Sequence, residues 1–135
     1  MAKNRAVQLF WVLLLWMPFW AACSLSEPDE EREEYIAGVA VPIPAGLYRS
    51  TEKRVELTLP GVEGGEVSFA GRVDPRDVVR FYQKEMPARG WTSKGSLVSE
   101  GGALAYTRDN RSVLIRIGRN NGQTVVSILA GGLGS

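Results

Sequence analysis

DPRDVVRFYQKEMPARGW, residues 74–91, decides how the rest of this chain is read. Asp74 is a good N-cap, with Pro75 at the first helical position. Asp77 adds negative charge near the positive end of the helix dipole. Val78, Phe81, Tyr82 and Met86 recur at helical spacing, and Val79 widens the stripe. Arg76, Arg80, Gln83 and Lys84 fall on the other side. Pro87 kinks or ends the last turn, Gly90 is the stop, and Trp91 opens the next element. One amphipathic helix needs an apolar surface to lie on, so the flanking sequence should supply a sheet.

It does so on both sides. Upstream, Arg54–Leu59 alternates, with Val55, Leu57 and Leu59 on one face. PGVEGGE (60–66) reads as turn chemistry, and Glu66–Arg72 alternates again, with Val67, Phe69 and Val73 inward. Downstream, four further strands are expected near 91–98, 103–108, 112–118 and 124–129. Glu100-Gly101-Gly102, Asp109-Asn110 and Asn121-Gly122 separate them. Leu104, Tyr106, Val113, Ile115, Ile117, Val126 and Ile128 are the inward residues. Short turns make neighbours antiparallel. The expected fold is α+β, in β-β-α-β-β-β-β order: an antiparallel sheet of five to six strands with one main helix on one face. VPIPAGLY (41–48) reads as a proline-stiffened extended strap entering a domain of residues 41–130, with a flexible tail at 131–135.

Residues 1–22 have the build of an export signal. Lys3 and Arg5 precede an uncharged run, Leu9–Ala22, that is short for a membrane-spanning helix. Cys23 is the only cysteine of the chain, and it stands where this run gives way to an acidic one. Residues 24–38 hold six acids and one base, a composition that cannot bury enough apolar surface to order itself. Residues 23–40 are therefore expected to be a solvated tether. Residues 39–135 carry 13 basic and 9 acidic side chains, so a mildly positive domain hangs on a negative tether.

Ala21-Ala22-Cys23-Ser24 resembles a bacterial lipobox, departing from the usual pattern at Trp20. The resemblance implies lipid attachment at Cys23, with the membrane as partner through acyl chains. An uncleaved anchor and an ordinary cleaved signal are the other two readings of the segment. In lipoproteins of two-membrane bacteria an Asp after the cysteine resembles an inner-membrane retention mark, and Ser24 does not, so in such an organism the resemblance implies the periplasmic face of the outer membrane. VPIPAGLYRS, FYQKEMPARGW and TVVSI together resemble a family of small bacterial lipoprotein domains of unknown function. Phe81, Tyr82, Met86, Pro87, Gly90 and Trp91 carry that resemblance, which implies core and turn roles and brings no activity with it.

Chemistry is sparse. With no histidine there is no Ser-His-Asp or Cys-His arrangement, and the commonest zinc ligand is missing. No metal site, cofactor or catalytic residue is expected. Glu63 and Glu66 form the one carboxylate pair worth weighing for hydrolysis, and nothing nearby in sequence would raise either pKa. Arg108, Arg111, Arg116 and Arg119 cluster around the last hairpins as a candidate surface for an anionic partner. Export argues against nucleic acid. The expectation is a non-catalytic, lipid-anchored envelope domain that binds or scaffolds another envelope protein. The alternative is binding of an anionic polymer or lipid headgroups by the basic strands.

Overall fold

The computed structural model describes residues 30–50, 55–59 and 62–133. Cys23 and the expected signal, lipobox and first part of the tether lie outside them. The α+β reading holds: among the described residues one helix, α1 (Pro75–Ala88), packs on one face of an antiparallel sheet. Asp74 caps it, accepting from the Arg76 N–H at 2.9 Å. Pro87 is accommodated inside the last turn, and the helix closes at Gly90, whose φ of 83° is left-handed.

Seven strands form that sheet. They are β3 (Tyr48–Arg49), β4 (Val55–Leu59), β5 (Val62–Gly71), β6 (Thr92–Val98), β7 (Gly102–Arg108), β8 (Arg111–Asn120) and β9 (Gln123–Leu133). Their order is β3-β5-β9-β8-β7-β6, with β4 also on the free side of β5. β5 and β9 pair over ten residues, Val62 opposite Leu133 through Gly71 opposite Thr124. The inner face carries the expected residues: Val67, Phe69, Leu104, Tyr106, Val113, Ile115, Ile117, Val126 and Ile128 are all buried. Val78, Val79, Tyr82 and Met86 cover them from α1, while Phe81 and Val73 are only partly buried. Each such burial contributes about 1.5–3 kcal/mol. Tyr106 Oη donates to the Tyr82 carbonyl at 3.3 Å, which ties β7 to the helix.

Several expectations need correction. The acidic segment is not spacer throughout, because Arg32–Ile36 forms β1 and pairs with β2 (Val39–Ile43) in a separate two-stranded sheet. Ala37 (φ 47°) and Gly38 (φ 74°) make the turn. Residues 41–43 therefore lie in a paired strand, with Ile36, Val39, Val41 and Ile43 buried in the common core. The charges of β1 are held by distant arginines. Arg89 pairs with Glu33 at 3.2 Å, and Arg49 pairs with Glu34 at 2.8 Å. Gly64 and Gly65 are strand residues of β5, not turn residues. A Cβ on Gly65 would lie 3.6 Å from both Ile36 and Ala37, at ordinary van der Waals distance, so the hairpin lies directly against β5 there. At the other end, residues 131–133 continue β9 instead of starting a tail.

Candidate functional site

Helix and hairpin cover the inner face of the sheet, and no element among the described residues covers its outer face. Strand register arranges that face in rows. One row is Ala105, Leu114, Leu129 and Glu66, each opposite the next. The adjacent row is Thr107, Ser112, Gly131 and Gly64. Two glycines beside two leucines leave a hollow whose floor is backbone. The groove encloses about 770 Å³, lined by Gly64, Ala105, Leu114, Leu129 and Gly131, with Arg111 at its end. Leu129 is 44% exposed there. Farther along the face, Leu97 stands opposite Ala103 and is 74% exposed. An open face is ordinary for an antiparallel sheet. Leucines along one normally solvated and polar are less so.

Beside the apolar row sits a polar cluster. Arg116 Nη2 lies 2.6 Å from Glu66 Oε1, and the Ser127 hydroxyl donates to the same oxygen. The hydroxyl and the guanidinium together hold the Glu66 carboxyl below its ordinary range. That state suits an acceptor and not a proton donor. The Glu63 side chain lies outside the described set.

The four candidate arginines do not form one surface. Arg108 and Arg111 face each other at one end of the β7–β8 hairpin. Arg108 donates to the Arg89 carbonyl at 2.8 Å and covers the Trp91 ring, and Arg111 donates to the Ala37 carbonyl at 3.2 Å. Arg116 is committed to Glu66 in the middle of the outer face. Arg119 stands at the far end of β8, near Asp74. The groove was not legible in the sequence, because Gly64 and Gly131 belong to segments that read as turn and tail. The outward alternation of Leu114 and Leu129 was the available signal.

Among the described residues no group of acids, cysteine or histidine could hold a metal ion, and no helix is long and apolar enough to cross a membrane. The chain belongs to a START domain-like family, whose model matches residues 54–124, just over half its length. The match takes in the β4–β5 hairpin, α1 and the strands through the start of β9. No curated protein and no solved structure matches the chain.

Proposed function

We propose that this chain is an exported, lipid-anchored envelope protein whose domain binds another envelope protein without catalysis. The START domain-like family supports a ligand-binding domain. The observation that carries the reading is the open outer face, where Leu114 and Leu129 border a glycine-floored groove. A hollow that is mostly apolar and open along its length suits an apolar segment of a partner. Cys23, once acylated, replaces the apolar run before it as the anchor, and Ser24 favours the periplasmic face of the outer membrane. An anionic polymer along the basic strands has less support, since Arg108, Arg111 and Arg116 are each occupied by groups of the domain itself.

Two measurements on the full chain test this. Labelled palmitate incorporated in a bacterial host should appear on the native chain and vanish in Cys23→Ala; label absent from both removes the anchor. A photo-crosslinking residue at position 114 should give one discrete adduct that persists at high salt, whereas position 83 on the exposed side of α1 should give none. An adduct that disappears as salt rises would favour the anionic partner instead.

A further inference from the structure

The end of the sheet at which β1 begins carries four arginines. β1 runs against β5: Ile36 and Ala37 lie beside Gly65, while the Arg32 guanidinium lies 5.9 Å from the Phe69 ring centroid. The start of β1 at Arg32 therefore lies toward the end of β5 that leads to Gly71 and Arg72. That end carries Arg49 on β3, Arg72 after β5, Arg76 in the first turn of α1 and Arg119 at the end of β8. Their hollows adjoin. One is lined by Tyr48, Arg49, Arg72 and Gln123, the next by Arg72, Asp74, Arg119 and Gln123, and the third by Asp74, Arg76 and Arg119.

Acids at this end are mostly spoken for. Glu34 pairs with Arg32 and Arg49, Asp74 with Arg76, and Asp77 with Arg80; Glu100 is also present. Arg72 and Arg119 make no ion pair within 4 Å among the described residues, although Arg119 lies close enough to Asp74 to help hold its carboxyl below the ordinary range. Both arginines are exposed, and Tyr48, 52% exposed, shares a hollow with Arg72. A tyrosine with an apolar ring and a polar tip suits the headgroup region of a bilayer.

We propose that this rim, with Arg72 and Arg119 at its centre, docks on an anionic lipid surface. The inference rests on the anchor at Cys23. Cys23 and Arg32 are nine positions apart, so the intervening chain spans at most about 30 Å. So short a tether, entering at the basic rim, turns that rim toward the bilayer and holds it at high effective concentration. The acidic residues 27–31 would compete for the same arginines. Lipid docking wins where the bilayer offers many charges and the tether only a few.

The test uses the full chain, processed and acylated, in vesicles of phosphatidylcholine alone and of phosphatidylcholine with about 30% phosphatidylglycerol, an anionic fraction of the kind that attracts basic residues. Hydrogen exchange over residues 46–50, 70–76 and 119–123 reports docking, and flotation with neutral vesicles reports the anchor. Exchange at the rim should slow roughly ten-fold or more in anionic vesicles only, and Arg72→Glu with Arg119→Glu should abolish the slowing. Both positions are exposed, and an unchanged circular dichroism spectrum confirms the fold of the variant. Equal exchange in both vesicle types overturns the proposal. So does equal protection in detergent without lipid, which would place the acidic segment on the rim. Failure to float with neutral vesicles overturns the anchor; charge-dependent flotation lost in the double variant would then still support the rim.

Discussion

The guanidinium of Arg108 lies 4.6 Å from the ring centroid of Trp91, while its Nη1 donates to the Arg89 carbonyl at 2.8 Å. One side chain of β7 thus covers an aromatic face and satisfies a carbonyl at the helix C-terminus. Arg108→Ala should destabilise the domain by about 1–2 kcal/mol, less than the full sum of a cation–π contact and one charged hydrogen bond because the side chain is exposed. Arg108→Lys should recover less than half of that, since an ammonium cannot stack and fork together. Urea unfolding followed by circular dichroism measures both. Equal stability of the alanine variant and the native chain would show that the stack contributes nothing.

Tyr82 is fully buried, and its hydroxyl has no hydrogen-bond partner among the described residues. Burial raises its pKa well above the ordinary phenol value. The folded state therefore keeps the proton that the unfolded chain releases near pH 10, and stability falls as pH rises beyond that point. Tyr82→Phe removes an unsatisfied donor at nearly constant shape. It should leave stability unchanged or raise it by about 1 kcal/mol at pH 7, and should hold that stability farther into alkali. A loss of more than about 1 kcal/mol would mean that the hydroxyl has a partner, such as a buried water.

Glu66 makes the opposite case. The Ser127 hydroxyl, then Arg116, hold its pKa below the ordinary carboxylate value. The stabilisation is present above the unfolded carboxylate pKa and is lost as pH falls through the lower folded one. Glu66→Gln should lower the thermal midpoint at pH 7, and the gap to the native chain should close as pH drops toward 3. A gap independent of pH would attribute the effect to packing and not to charge.

How much of this was legible depended on where the satisfying partner sat. The helix carries its own signals: the Asp74 cap, Pro75 and the spacing of Val78, Tyr82 and Met86 are local, and all are realised. Strands β7 to β9 alternate cleanly and are flanked by turn dipeptides. β1 was hidden because REEYI looks like solvated spacer, and only Arg89 and Arg49, far along the chain, make its carboxylates compatible with a strand. Its turn was hidden too, since Ala37 takes a left-handed conformation that the sequence does not advertise. The outer groove depends on Gly64 and Gly131 standing side by side, a relation set by long-range register alone.

Gly71 offers the sharpest test of that register. It ends β5, and a Cβ built there would lie 1.9 Å from the Gly46 carbonyl oxygen, a backbone atom that cannot swing aside. Gly46 itself has φ of 81°, so the Gly46–Leu47 segment is fixed by its own turn. Leu47 is fully buried, and β3 follows directly, pairing Tyr48 with Ala70 and Arg49 with Phe69. Gly71→Ala must therefore push the segment outward, loosening Leu47 and the short β3 pairing together. The expected cost is about 1–3 kcal/mol, of the size seen when a well-packed interior is overfilled. Hydrogen exchange should localise the damage to residues 46–50, leaving the β8–β9 pairing protected. Gly122→Ala is the control. It meets no atom within 4 Å and carries only the penalty of its φ of 75°, so it should cost less and leave residues 46–50 untouched. Equal exchange at residues 46–50 in both variants would show that β3 is not held by this close approach.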